Sequence, residues 1–245
     1  MSPHAATRRV AVVTAIAALL AAGCSADDEA PADPSATPLS VEQSVLLAET
    51  LVRNAEAGGA SFVAVSQDRT TGRTLSLEGE VDWTRLEGRA TLDGYSDGFG
   101  PVTEVAWSRD GVAERRPDQA ELLEDRGEDP DTFFLRAADL QQSALDRLIT
   151  LTVALAADQA EDAVSLREQP AAALLRTDTL RGTEVLVMRF SARSIYWIDP
   201  STGRLLRFEG VDASGVNPIV IDLVELGPRE VTMPPVSRLP LEVRR

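Results

Sequence analysis

The chain has no lysine, and its single histidine, His4, and single cysteine, Cys24, both lie within the first 24 residues. From Ser25 onward it therefore offers no imidazole, thiol or amine side chain. That absence excludes Ser-His-Asp and Cys-His nucleophile systems, which need an imidazole base, and lysine Schiff-base or Ser-x-x-Lys chemistry, which needs an amine. It also removes the main ligands of zinc. No long hydrophobic run is present either. The longest, Val10 to Leu20, covers about 11 residues, too few to cross a ~30 Å bilayer core. No Gly-x-Ser-x-Gly elbow, Walker loop or dinucleotide fingerprint occurs.

Carboxylates are what remain. Without residues 1 to 23, which hold Arg8 and Arg9 and no acid, 22 arginines face 39 acids, a net charge of −17. Such a surface repels nucleic acid and anionic headgroups. Paired acids can hydrolyse glycosides and oxygen ligands can hold Ca²⁺. The stretch Asp118 to Asp131 is acidic but lacks the alternating order of a calcium loop, and reads as a solvated loop. Asp93-Gly94-Tyr95-Ser96-Asp97-Gly98 reads as a hairpin loop. The residues thus supply no catalytic set, no metal set and no cofactor motif.

Arg8 and Arg9, followed by the short apolar run, have the form of a signal peptide. Leu20-Ala21-Ala22-Gly23-Cys24 then resembles the bacterial lipobox, departing from it only in Ala21, where Leu, Val or Ile is usual. The resemblance implies removal of residues 1 to 23 and a diacylglyceryl group on Cys24, palmitate being an expected acyl chain. Membrane anchoring through that lipid, on the outer, extracytoplasmic face, follows from it. Residues 24 to 39 hold Asp27, Asp28, Glu29, Asp33 and prolines 31, 34 and 38, a composition that builds no core. As an extended tether at ~3.1 Å per residue it reaches roughly 45 Å.

Residues 40 to 245 read as one α+β domain. Ser40 and Gln43 form a capping box, Val41, Val45, Ala48 and Val52 recur at helical spacing, and Gly58-Gly59 stops the helix. Leu75, Leu77, Gly79 and Val81 then alternate with Thr74, Ser76, Glu78 and Glu80, as do Leu86, Gly88, Ala90 and Leu92 with Glu87, Arg89, Thr91 and Asp93. These are strands of a sheet with one dry face. Val102 to Trp107 and Val112 to Arg115 make a further hairpin, and Pro117 is expected to end this part of the sheet. A helical region follows from Asp139, with the stripe Ala144, Leu148, Leu151 and Leu155, and a short helix is expected within Glu161 to Gln169. Strands resume at Ala173, Val185, Ser194, Arg204 and Ile219, with Arg181-Gly182 and Pro200-Ser201-Thr202-Gly203 as turns.

The segment Tyr196-Trp197-Ile198-Asp199-Pro200-Ser201-Thr202-Gly203 is similar to the aromatic-Ile-Asp-Pro-x-Thr-Gly hairpin of the bacterial LolA/LppX(LprG)-like superfamily of lipid and lipoprotein carriers. The order of elements from Ser40 to Leu239 resembles it too. The resemblance implies a strongly curved antiparallel sheet, an incomplete barrel, with helices covering its concave face and an acylated or lipoprotein ligand between them. Burial of an acyl chain at ~0.8 kcal/mol per CH₂ supplies on the order of 10 kcal/mol without any catalytic group. On that mapping the cavity candidates are Leu75, Leu77, Val81, Leu86 and Leu92 on the sheet and Leu148, Leu151 and Leu155 on the helix. Trp83, Trp107, Phe133 and Phe134 are candidates for its rim. Ordinary core packing uses the same residue types. The alternative is an interaction or envelope-sensing lipoprotein with the same fold and a filled core.

Overall fold

The computed structural model describes residues 36–67, 72–97, 100–212 and 215–237; Cys24 and the residues around it lie outside that set. Strand β1 (Thr37–Pro38) leads to helix α1 (Val41–Ala57). The capping box forms as the sequence requires: the Gln43 backbone N–H donates to the Ser40 hydroxyl, and the Gln43 side chain accepts from the Ser40 N–H. Gly58, at φ 84°, ends the helix in the left-handed conformation that glycine adopts without strain. Strands β2 (Gly59–Gln67), β3 (Thr74–Asp82) and β4 (Glu87–Asp93) follow as an antiparallel meander. A small hairpin, β5 (Ser96–Asp97) and β6 (Gly100–Pro101), stands apart from the main sheet. The meander continues with β7 (Glu104–Ser108) and β8 (Gly111–Arg115).

Pro117 does not end this half of the sheet. It opens a 3₁₀ turn (Pro117–Gln119) and helix α2 (Ala120–Asp125), after which β9 (Phe133–Arg136) returns to pair with β8. The acidic stretch is thus partly helical, because Gln119 and Leu123 are buried and pin it to the body. Helices α3 (Ala144–Ala154) and α4 (Ala163–Glu168) come next, capped by Ser143 and Asp162. Asp139 caps a turn instead, accepting from the N–H groups of Gln141 and Gln142. The second meander runs β10 (Ala173–Leu180), β11 (Thr183–Ser191), β12 (Ser194–Ile198), β13 (Leu205–Val211) and β14 (Pro218–Leu226), and β15 (Val236–Ser237) closes the chain's described part. Both Arg181 (φ 51°) and Gly182 (φ 84°) are left-handed, the geometry that a two-residue hairpin between right-twisted strands demands.

The two meanders join through β14 and β2, with Ile221 opposite Ala64. The result is one 13-stranded sheet in the order β1-β10-β11-β12-β13-β14-β2-β3-β4-β7-β8-β9-β15, antiparallel except where β15 lies parallel to β9. It does not close into a barrel. Its two edges are β1 and β15, two residues each, and short edges offer little backbone for unwanted pairing. One face carries the main apolar cluster, which takes in Phe62, Leu77 and Val81 from the first meander, Tyr196 and Ile198 from the second, Leu47 from α1 and Leu148 from α3. Smaller clusters lie on the other face, around Trp197 and around Phe133. Among the described residues no helix is long and apolar enough to cross a membrane.

Candidate functional site

The apolar seam between the sheet's inner face and helices α1 and α3 gathers most of the residues that the sequence singles out. Leu75, Leu77, Val81, Leu148 and Leu155 are buried members of its cluster, and Leu92 and Leu151 pack against it half-buried. Leu86 sits elsewhere: it occupies the turn between β3 and β4 with φ 58°, one residue before β4 begins. Leu77, Val81 and Leu148 are 0% exposed, so no water-sized void touches them. An open depression of about 380 Å³ lies instead on the opposite face, around Gly79, lined by Ser61, Val63, Glu78, Glu80, Thr91 and Val224.

Small residues shape the seam's floor. Across the register Phe62 stands opposite Gly79, Gly79 opposite Ala90, and Gly88 opposite Trp107. A Cβ on Gly88 would lie 1.9 Å from Cζ2 of Trp107, so that ring rests directly on bare backbone. Phe62 meets it at 6.2 Å between centroids. Trp83 is also buried in this layer and donates from Nε1 to the Thr152 carbonyl. Phe133 and Phe134 cannot share a rim, because neighbouring residues of a strand face opposite ways and Phe133 packs with Ala106 and Ala113 on the other face.

Polar bonds fasten α3 at both ends. At its C-terminal end Thr152 takes the Trp83 bond, and the Leu155 carbonyl accepts from Asn54 Nδ2 at 2.8 Å. Asn54 Oδ1 accepts in turn from the Leu205 N–H at 3.2 Å, so one fully buried amide ties α1, α3 and β13 together. At the N-terminal end lies a chain of alternating charges that sequence patterning does not reveal: Asp97, Arg116, Glu114, Arg136 and Asp146. Arg136 reaches both Asp146 oxygens at 2.7 Å and donates to Glu114 from Nε at 2.7 Å. Arg116 donates to Glu114 from Nε at 2.9 Å and to both Asp97 oxygens at 2.7 Å. Glu114, Arg116 and Asp146 have wholly buried side chains. Burial disfavours charge on both arginines, but hydrogen bonds to Asp146 and Glu114, and to Asp97 and Glu114, outweigh it and raise their pKa values. Tyr95 at the chain's edge is raised by burial, against a hydrogen bond with Ser143.

This is an anchoring arrangement. Each acid is committed to arginine, and Glu114 bridges two of them. Among the described residues no group of three His, Cys, Asp or Glu is placed to hold a metal ion.

No family model matches the chain, and no curated protein matches it. Solved structures similar to it include LprF from Mycobacterium bovis, at 10% identity over 80% of this chain and 97% of that one, with a TM-score of 0.47. The MucA/MucB complex of Pseudomonas aeruginosa is similar at 14% identity over 78% of this chain and 59% of that one, with a TM-score of 0.35. A domain named for outer membrane lipoprotein sorting, from Vibrio parahaemolyticus, is similar at 11% identity over 76% and 92%, with a TM-score of 0.23. All three scores lie below 0.5.

Proposed function

We propose that the chain is an extracytoplasmic lipoprotein, held to the membrane by a lipid on Cys24 and an acidic tether, whose domain binds or carries an acylated ligand between sheet and helices. On this reading the sheet curves around α1 and α3, its concave side toward them. The observation that carries the reading is the seam itself: one apolar cluster that takes in residues of both meanders and of α1 and α3, with polar fastenings at the two ends of α3. An acyl chain entering it has to part α3 from the sheet. Recognition then comes from apolar area, which suits a chain without histidine, lysine or thiol in its folded part. The purified domain is expected to release acyl lipid on extraction for mass spectrometry. A delipidated domain that takes up no fatty-acyl probe refutes the reading. The anchor is tested separately: Cys24→Ala is expected to lose the lipid mass and leave the membrane fraction, and a variant that stays bound with its lipid mass unchanged overturns it.

A second reading has its own support. Leu77, Val81 and Leu148 at 0% exposure are what a filled core gives, and a domain with a filled core acts through its surface as an interaction or envelope-sensing module. Specific crosslinking of one envelope protein, with no lipid uptake, favours it.

A further inference from the structure

The inner face holds one indole that is satisfied and one that is not. Trp83 gives its N–H to Thr152, whereas Trp107 is 3% exposed and its Nε1–H has no hydrogen-bond partner among the described residues. An unmade hydrogen bond at a buried donor costs about 1–3 kcal/mol, and the great majority of buried polar groups avoid that cost. Phenylalanine would fill much of the same space without it.

The ring's place is also built in. Gly88 has no side chain where Trp107 lies, and even a methyl group there would overlap Cζ2 and Cε2. Phe62 bounds the ring on another side. Trp107 belongs to the same apolar cluster as Leu77, Val81 and Leu148, the seam in which the acyl ligand is placed above. The other orphaned atoms among the described residues differ from it. Trp197 belongs to the outer-face cluster and has the guanidiniums of Arg176 and Arg207 each 5.2 Å from its ring centroid, Thr103 Oγ1 is a hydroxyl outside the inner apolar cluster, and Glu87 and Arg229 keep ionic partners.

We propose that Trp107 is the polar contact of the seam: its indole N–H donates to the carbonyl oxygen of an ester-linked acyl chain, so the site selects esterified acyl chains over plain hydrocarbon. The inference rests on the acyl-binding reading. Indole is a donor only and an ester carbonyl an acceptor only, so the two match without a proton to place. A free carboxylate suits the position poorly, because it brings a charge into an apolar layer and one neutral N–H does not offset its desolvation.

The test uses the whole mature chain, Cys24 to Arg245, made without residues 1 to 23 so that the cysteine carries no lipid. Radiolabelled methyl palmitate and heptadecane are partitioned between the protein and phosphatidylcholine vesicles, and uptake is read after gel filtration. In Trp107→Phe the ratio of ester to alkane uptake is expected to fall about fivefold, the equivalent of one hydrogen bond, with alkane uptake unchanged. A second variant carries benzothienylalanine at position 107, which keeps the bicyclic ring and removes only the N–H; it is expected to show the same fall even if Trp107→Phe folds poorly. An unchanged ratio in the benzothienylalanine protein overturns the proposal and leaves acyl binding standing. Equal loss of both probes overturns it as well, by making Trp107 a packing residue. Uptake of neither probe by the unaltered chain removes the acyl-binding reading and this inference together.

Discussion

Arg136 is the link by which the N-terminal end of α3 is held to the sheet, and its removal has a calculable consequence. In Arg136→Met the side chain keeps much of its length but loses its charge. Glu114 retains Arg116, whereas Asp146, wholly buried, loses its only charged partner among the described residues. Breaking a buried pair by removing one member costs about 3–5 kcal/mol, because the remaining charge stays desolvated. Arg136 is 24% exposed, so water offsets part of this and the lower figure, about 3 kcal/mol, applies. For a domain of this size, at about 2–4 °C per kcal/mol, the melting temperature should fall by roughly 6–12 °C. Scanning calorimetry reads the shift directly. Arg115→Gln is the control: Arg115 pairs with Glu104 and Asp131 at 34% side-chain exposure, Asp131 being 70% exposed, and its loss should cost under about 1 kcal/mol. Asp146→Asn added to Arg136→Met should recover part of the loss, since the stranded charge is gone. If Arg136→Met costs no more than the control, the chain of charges does not hold α3 and the reasoning fails.

Asn54→Ala strands the Leu155 carbonyl and the Leu205 N–H, at about 1–3 kcal/mol for each buried group, and hydrogen exchange should quicken at Leu205 along with the fall in melting temperature. Asp199 gives a pH signature. Burial raises its carboxyl, but the hydroxyls of Ser201 and Thr202 outweigh that and hold it below the ordinary value of 3.8. A depressed folded pKa contributes stability above the unfolded value that is lost as pH falls through the folded one. Asp199→Asn should therefore be less stable at pH 7 and show a shallower decline below about pH 4 in thermal melts taken across that range. Ending the chain after Glu230 removes β15 and bares the outer edge of β9; analytical ultracentrifugation should then show self-association that the longer chain lacks.

Local chemistry was legible in the sequence. The Ser40–Gln43 capping box, the Gly58 stop, the alternation of Leu75, Leu77 and Val81 and the Arg181-Gly182 turn each depend on residues within a few positions of one another, and each takes the form its spacing requires. Long-range pairing was not legible. Nothing in β2 or β14 alone says that Ile221 will lie opposite Ala64, and the return of β9 after Pro117 depends on Phe134 pairing with Glu114 twenty residues back. The charge chain is hidden in the sequence for the same reason: Asp97, Glu114, Arg116, Arg136 and Asp146 sit on four separate pieces of chain and show no motif until folding brings them together.

Helix α1 shows why an apolar pattern alone leaves a choice open. Val41, Val45, Ala48 and Val52 form a valid stripe, yet Val41 and Val45 are 55% and 39% exposed, and the buried residues are Ser44, Leu47, Ala48, Thr50, Asn54 and Ala57, with Leu51 half-buried beside them. Rotating the helix to bury the valines would keep apolar area in the seam. It would also carry Asn54 away from Leu155 and Leu205, leaving two buried backbone groups unpaired at about 1–3 kcal/mol each. Methyl groups are interchangeable across a flat apolar layer, whereas a carboxamide with one donor and one acceptor partner fits a single rotation. The apolar periodicity therefore decides that α1 and α3 lie on this sheet, and Asn54, Asp146 and Arg136 decide how they lie there.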